Sequence, residues 1–358
     1  MTRPWFRLSI AAAFVVAALL SHSIAHPARA ATSSCGIEGV DRIVAIGDVH
    51  GAYDRLVAIL TAAHVIDARQ QWSGGKTHLV QVGDVVDRGP DSRKALDLLR
   101  RLENEAGRSG GAVHALLGNH EVMRMLGDLR FVTPGEDESF ATAGSEETRR
   151  TFVQAAKPEQ RDRLLKETPL GEIEMRLAFG REGAYGKWLR THDTVIKING
   201  VLFVHGGLSL AAAAIPCDVI NTTVRRELSE DIDKTRAAPL VSLAAREDGP
   251  LFYRGLAQEP DAFAPQVDEI LAAQHARAIV VAHTVTRDAR IGVRFAGKVL
   301  QIDTGMQPAY VQNGRASALE ISQGVFSAIY EDRVDVLVGG PAPAAAATTS
   351  AGAPVPRP

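Results

Sequence analysis

Apolar positions along the chain follow two periods. Residues 42–46, 78–82 and 112–117 are short apolar runs of strand length, and two stretches of helical period lie between them. Residues 52–66 form the first, and residues 92–102, with leucines at 96, 98, 99 and 102 on one face, form the second. Strand, helix, strand, helix, strand predicts parallel pairing through crossovers. The later part of the chain changes character. Residues 193–198 and 201–204 flank Asn199-Gly200, a tight-turn dipeptide, and 291–295 and 298–302 flank Ala296-Gly297 in the same manner. Residues 278–282 read as a further buried strand, and 317–321, 325–330 and 333–338 complete a meander. A parallel half followed by an antiparallel half predicts an α/β fold of two packed mixed β-sheets, a β-sandwich, flanked by helices. Residues 128–190 are polar and helix-prone with Pro and Gly punctuation, and read as an inserted helical cap.

Both ends stand apart from this pattern. Arg3 and Arg7 precede a nearly continuous apolar run at 8–20, and Ala28-Arg29-Ala30 supplies a small-x-small cleavage site. Residues 1–30 are therefore read as a secretory signal peptide, which predicts a periplasmic or secreted protein. Ser21-His22-Ser23 interrupts the run short of the ~18–20 apolar residues of a membrane span, so no stable membrane association is expected after cleavage. Residues 339–358 are Pro, Ala, Thr, Ser, Val and Gly with one charge, Arg357, and are expected to form a disordered tail. The folded domain is thus expected over 31–338.

Composition narrows the function classes. The 358 residues carry 40 Lys plus Arg against 42 Asp plus Glu, a net of −2, which becomes −5 when Arg3, Arg7 and Arg29 leave with the leader. Binding of nucleic acid through bulk charge is excluded on that balance. Cys35 and Cys217 are the only cysteines. An even pair bound for an oxidising compartment suits a disulfide clamping the mature N-terminus. A two-cysteine metal site is the alternative, and no CxxC spacing supports it.

The candidate chemistry sits at strand ends, where open α/β sheets bind ligands. The first three strands run into Gly47-Asp48-Val49-His50-Gly51, into Gly83-Asp84-Val85-Val86-Asp87-Arg88-Gly89, and into Gly118-Asn119-His120-Glu121. Val204-His205-Gly206-Gly207 and Ala282-His283-Thr284 follow later strands. Asp, His and Asn without thiolate form a donor set for Mn, Fe or Zn in open sites, and argue against a closed structural zinc. Asp84, on the middle strand, is the natural bridge between two ions. A lone Gly-Asp or a lone histidine carries little weight, so His64, His78, His114, His192 and His275 are read as core or surface residues. The first three loops together specify thirteen residue types in order, which chance does not supply.

Several other patterns fail. Gly74-Gly75-Lys76-Thr77 lacks the leading glycine of a phosphate loop because position 70 is Gln, and Asp231-Ile232-Asp233 meets Arg236 where a calcium loop needs Gly. No Gly-x-Ser-x-Gly elbow supports serine nucleophilic chemistry. Asn221-Thr222-Thr223 is a glycosylation sequon, relevant only in a host that glycosylates.

The motifs GDxHG, GDxxDRG, GNHE and HGG resemble the phosphoprotein phosphatase branch of the calcineurin-like metallophosphoesterases, over about residues 42–335. Gly249-Pro250-Leu251-Phe252-Tyr253-Arg254-Gly255 and the leader are most similar to the bacterial Shewanella-like protein phosphatases. That resemblance implies a metallophosphoesterase-type sandwich and hydrolysis of phosphoprotein Ser, Thr or Tyr phosphate, or of a small phosphate ester. It implies Asp48 and His50 as ligands of a first divalent metal, Asp84 as the bridge, and Asn119, His205 and His283 as ligands of a second. His120 matches the general acid with Asp87 orienting it, and Arg88 and Asn119 match phosphate-binding positions, with Arg254 as a second clamp. The implied reaction is in-line attack by water activated between the two ions, with no phosphoenzyme.

This chain departs from the wider pattern in three places. Ala282 stands where a glycine often precedes the last histidine, the Ser-Ala-Pro-Asn-Tyr loop is absent near Asp303-Thr304-Gly305, and position 285 is Val. The last departure favours the phosphoprotein phosphatase branch. Two alternatives follow. A symmetrical dinucleoside polyphosphate hydrolase shares the first loop but usually carries Asp where Glu121 stands. An inactive metal-dependent binding module would lack a ligand or the acid, and all are present. The substrate-choosing groove is expected to be built from residues 128–190 and 208–260.

Overall fold

The structure, a computed structural model, describes residues 35–339. The leader reading of 1–30 and the tail reading beyond Gly339 concern residues outside that span. The first sheet contains the predicted parallel set. Strands β2 (Arg42–Ile46), β3 (His78–Gln81) and β4 (Ala112–Ala115) pair in parallel in that order, after a two-residue β1 (Gly36–Ile37). They are linked by α1 (Tyr53–Ala62) and α2 (Ser92–Arg108), and the leucines at 96, 98, 99 and 102 of α2 are buried as their period predicts. The helical period at 52–66 ends earlier than expected. Beyond Ala63 the chain turns, and Ile66 pairs with Trp72.

After β4, α3 (Asn119–Leu126) leads to five helices over the polar segment. They are α4 (Pro134–Phe140), α5 (Ser145–Gln154), α6 (Pro158–Glu167), α7 (Glu172–Phe179) and α8 (Ala184–Leu189). The start of α4 shows why. The Thr133 hydroxyl accepts from the Glu136 N–H, the Glu136 carboxylate accepts from the Thr133 N–H at 3.3 Å, and Pro134 takes the first turn.

Strands β5 (Val195–Ile198) and β6 (Val201–Val204) form the first hairpin, and Asn199 and Gly200 both adopt positive φ (50° and 72°) as a tight primed turn demands. Five helices, α9 (Leu210–Ala213), α10 (Cys217–Glu227), α11 (Ile232–Ala237), α12 (Gly255–Gln258) and α13 (Ala264–Ala273), follow, and then β7 (Ala278–Val281), β8 (Gly292–Arg294) and β9 (Val299–Gln301). The second sheet has the order β1-β5-β6-β7-β9-β8, with β6, β7 and β9 parallel. The chain ends in β10 (Ala318–Ser322), β11 (Val325–Ile329) and β12 (Val334–Val338).

The split into a parallel and an antiparallel half needs correction. The closing meander does not build the second sheet. It returns to the first, where β10 pairs antiparallel with β2, to give the order β12-β11-β10-β2-β3-β4. Each sheet is therefore mixed. Alternate strand residues divide between two apolar layers. Ile43, Ala45, Val80, Phe203, Val280, Leu300 and Leu319 meet between the sheets, while Val44, Ile46, Leu79, Leu202, Ile279 and Val281 face the helices. Cys35 and Cys217 form a disulfide (Cα–Cα 6.1 Å) that fastens β1 to the first residue of α10, so the two-cysteine metal reading is set aside. Asn221 of the sequon is buried, accepting from Thr194 and Val195 N–H and donating to the Val195 carbonyl, which ties α10 to β5.

Candidate metal centre

The loops after β2, β3, β4, β6 and β7 deliver their polar side chains to one end of the sandwich. The backbone there is strained. His50, Asp84, Asp87, Arg88 and His283 all adopt positive φ between 48° and 71°. Each such non-glycine residue costs on the order of 1–3 kcal/mol, a cost borne where side chains must point a fixed way. Gly118 shows how close the loops come. A Cβ there would lie 2.2 Å from Asp84 Oδ1. Glu121 holds the arrangement. Its buried carboxylate accepts from the backbone N–H groups of Gly118 (2.9 Å), Asp84 (2.8 Å), Val85 (2.8 Å) and Val86 (3.3 Å).

Within this frame the donor atoms converge. The Nδ1 of His50 bonds the Val86 carbonyl (2.9 Å) and the Nδ1 of His205 bonds the Val82 carbonyl (2.8 Å), so each ring carries its proton there and presents the Nε2 lone pair inward. His205 Nε2 then lies 2.9 Å from Asn119 Oδ1, 3.1 Å from His283 Nδ1 and 3.3 Å from Asp84 Oδ2. Lone pairs facing lone pairs at these distances are what a cation site looks like. Asp84 Oδ2 also lies 3.7 Å from His50 Nε2, so it is shared by two groups of converging donors, His50-Asp84-His120 and Asp84-His205-His283. Asp48 completes the cluster, with Oδ2 3.6 Å from His50 Nε2 and Oδ1 accepting from the His283 N–H (3.1 Å).

The electrostatics agree with this donor set. Burial pushes the His283 imidazole down to about 2 and that of His50 to about 4, so both offer neutral nitrogen. Burial alone would raise the Asp84 carboxyl, but His205, His120 and His50 outweigh it and hold it well below the usual carboxylate range. Asp48 is raised by burial and by the neighbouring Asp303 and Asp84. Burial likewise raises Asp303, to about 6. Three carboxylates crowded together in this way suit divalent cations, and hard oxygen with imidazole nitrogen suits Mn, Fe or Zn.

A second network lies behind His120. Its Nδ1 is 2.6 Å from Asp87 Oδ2, and Asp87 Oδ1 is paired with Arg124. Arg124 also donates to Glu136 Oε1 (2.9 Å), which accepts in turn from the Asp87 N–H (3.1 Å). All four side chains are buried. Burial would lower the His120 imidazole, but Asp84 and Asp87 outweigh it and raise it. Its Nε2 faces the cavity, 3.4 Å from Arg88 Nη2.

That cavity, about 490 Å³, is lined by Asp48, His50, Asp84, Arg88, Asn119, His120, Arg254 and His283 among others. Eight of the ten residues singled out from the sequence thus share one wall. Asp87 and His205 lie buried behind it, bonded to His120 and to Asn119. None of His64, His78, His114, His192 and His275 lines it. Arg88 is stacked between Tyr310 (3.7 Å to the ring centroid) and Phe131 (4.8 Å), and Arg254 donates to the His283 carbonyl (2.8 Å) and Thr284 Oγ1 (2.9 Å).

Sequence reasoning missed several residues that matter here. Arg124 lies one helical turn after His120, and that spacing was a usable signal. Asp303 follows β9 at another strand end, so the rule that found the other loops applied to it as well. Tyr310, Phe131 and the reach of Glu136 to Arg124 had no local signature.

Residues 41–287 match the calcineurin-like phosphoesterase family. The Shewanella-like protein phosphatase 2 of Arabidopsis thaliana is 31% identical over 306 residues, 79% of this chain and 76% of the relative. A crystal structure of the cold-active protein-tyrosine phosphatase of a psychrophile Shewanella species is 28% identical, with a TM-score of 0.66 over 85% of this chain and 82% of that one. The symmetrical bis(5'-nucleosyl)-tetraphosphatase of Escherichia coli is 42% identical over only 77 residues, 22% of either chain.

Proposed function

Because this chain belongs to the calcineurin-like phosphoesterases, among the Shewanella-like protein phosphatases, and is a hydrolase, we propose that it is a dinuclear metallophosphatase acting on phosphoproteins, phosphotyrosine foremost. One observation carries the reading. Buried imidazole and carboxylate lone pairs converge around a shared Asp84 at the floor of a cavity that two arginines line. Asp48, His50 and Asp84 would hold one divalent ion, and Asp84, Asn119, His205 and His283 the other, with Mn, Fe or Zn all compatible with the donors. Such ions supply positive charge to the phosphoryl oxygens and lower the pKa of water beside them.

The chain's own residues do the rest. Arg88 and Arg254 bind the equatorial phosphoryl oxygens, assisted by the Asn119 amide. Arg88 is held by its two aromatic neighbours, which limits the entropy lost when it engages phosphate. His120 delivers a proton from Nε2 to the leaving oxygen, and the Asp87 carboxylate fixes its Nδ1–H and therefore its tautomer. Phe131, Phe252 and Tyr310 on the cavity wall would flank an aryl leaving group, in keeping with the similarity to the protein-tyrosine phosphatase of Shewanella. The basic and apolar pattern of residues 1–30 and the Cys35–Cys217 disulfide both support export to an oxidising compartment. The dinucleoside tetraphosphate alternative rests on a match to 22% of the chain.

The test uses protein stripped of metal and reloaded with Mn²⁺, Fe²⁺ or Zn²⁺. It assays p-nitrophenyl phosphate beside phosphotyrosine and phosphothreonine peptides. Metal-dependent turnover, faster on phosphotyrosine, is expected, and His120→Asn should lower kcat by about 10²–10⁴. Absence of turnover at full metal occupancy, or preferential cleavage of diadenosine tetraphosphate, would overturn the proposal.

A further inference from the structure

Residues 242–254 form a loop that is pinned along its length. The Glu227 carboxylate, on α10, accepts from the N–H groups of Leu243 (3.0 Å) and Ala244 (2.8 Å). The Asp248 carbonyl accepts from the Ser209 hydroxyl (2.9 Å). The Pro250 carbonyl accepts from the N–H groups of Gly206 (2.9 Å) and Gly207 (3.2 Å), directly after the candidate ligand His205. The loop held in this way presents Glu247, Phe252 and Arg254 to the wall of the catalytic cavity.

Glu247 is out of keeping with that cavity. It is exposed, and its side chain has no hydrogen-bond or ion-pair partner among the described residues. Its two neighbours satisfy each other, with Arg246 Nε 3.1 Å from Asp248 Oδ1. Arg130, on the same wall, is paired with Asp128 (2.7 Å at the closest), and Arg254 donates to the His283 carbonyl and to Thr284 Oγ1. The other acids that line the cavity, Asp48 and Asp84, belong to the candidate metal centre. An unpaired carboxylate on the wall of a cavity that receives a phosphate dianion repels it, and so weakens binding of every phosphate ester. Nothing in the fold offsets that cost, because the Glu247 side chain holds no other part of the chain.

We propose that Glu247 is a specificity-determining residue that pairs with a Lys or Arg side chain of the substrate polypeptide, one close in sequence to the phosphorylated residue. A cation at that point turns the repulsion into attraction, whereas an acidic flank or a second phosphate adds to it. One carboxylate thus favours basic phosphopeptides and disfavours polyanions, which is discrimination by a repulsive as well as an attractive element. The inference rests on the phosphatase reading above and specifies its substrate as a polypeptide with a basic flank.

The experiment uses the full metal-loaded protein and phosphotyrosine peptides in which a single arginine or a single glutamate is moved through the positions flanking the phosphotyrosine, against an all-serine background. At the best position, wild type should favour arginine over glutamate by about tenfold in kcat/KM, the product of one exposed attraction and one exposed repulsion. The preference should fade towards ~0.5 M salt. Glu247→Gln should reduce the ratio to about twofold or less, and Glu247→Arg should invert it. Glu38→Gln is the control. It makes the same change of charge at the opposite end of the sheet, where Glu38 is exposed one residue beyond Ile37, whose carbonyl accepts from the Asn199 N–H (2.8 Å), and it should keep the wild-type ratio. A wild-type ratio within about twofold of unity, or a preference that survives Glu247→Gln, would overturn the assignment, and continued turnover of p-nitrophenyl phosphate would leave the phosphatase standing. An equal fall of the ratio in Glu38→Gln would trace the preference to net charge and overturn the assignment as well. No turnover of any ester by wild type would strike the phosphatase reading itself.

Discussion

The buried guanidinium of Arg124 supplies a sharp test of how His120 is held. Arg124 and its partners Asp87 and Glu136 are each no more than 1% exposed at their side chains, and both carboxylates converge on the same nitrogen. Arg124→Met keeps much of the volume, and its contacts with Met175 and the Phe179 ring, but leaves two buried carboxylates facing each other. Breaking a buried ion pair by removing one partner costs about 3–5 kcal/mol. At roughly 2–4 °C per kcal/mol for a domain of this size, the melting temperature should fall by roughly 6–20 °C.

The pH dependence fixes the cause. Burial pushes the Asp87 carboxyl up, but the His120 hydrogen bond and the Arg124 charge outweigh it and hold it below its ordinary value. A carboxyl depressed in the native state contributes stability above its unfolded pKa and loses it as pH falls through the native value. Without Arg124, Asp87 binds a proton more readily in the native state, so the gap between wild type and variant is widest near neutrality and narrows towards about pH 5. Arg124→Met/Glu136→Gln removes one of the opposed charges and should recover part of the loss. Thermal melts at several pH values read all of this. A variant within about 2 °C of wild type, or a gap that widens on acidification, would refute the reasoning.

Three further outcomes are expected. Glu121→Gln turns an NH₂ group towards backbone N–H donors of the Asp84 loop, so stability should fall by about 1–3 kcal/mol and metal affinity should drop, as read by chemical denaturation and by titration with Mn²⁺. Tyr310→Ala removes one face of the Arg88 sandwich. A lost cation–π contact of about 0.5–2 kcal/mol predicts a roughly 2- to 30-fold loss in kcat/KM on p-nitrophenyl phosphate with metal content unchanged. Reducing the Cys35–Cys217 disulfide, which closes a loop of 182 residues, should lower stability by about 2–5 kcal/mol, read by denaturant melts with and without reductant.

Much of the site was legible in the sequence because its chemistry is contiguous. Four of the five loops pack a candidate ligand, a glycine and often a second polar residue into four to seven positions, and the strands before them were readable from their apolar runs. The membership of the two sheets was not legible. Alternation along β10 says which face of the strand is buried, but not that Leu319 pairs with Ala45 far back in the chain. The supports of the site were half legible. Glu121 stands inside a recognised motif, yet its grip on four backbone N–H groups appears only when two loops are brought together. Tyr310 and Phe131 are single aromatics in polar stretches. Their stacking on Arg88 depends on loops far apart in the sequence, and no local pattern encodes it.

Asp84 is proposed to be shared by two metal ions in one cavity. The direct measurement is metal content per chain by elemental analysis, taken beside p-nitrophenyl phosphate turnover, for wild type and Asp84→Asn. Two divalent ions are expected per wild-type chain, with loss of at least one ion together with nearly all turnover in Asp84→Asn. An Asp84→Asn protein that keeps both ions and wild-type turnover, or a fully active wild type with no bound metal, would contradict it.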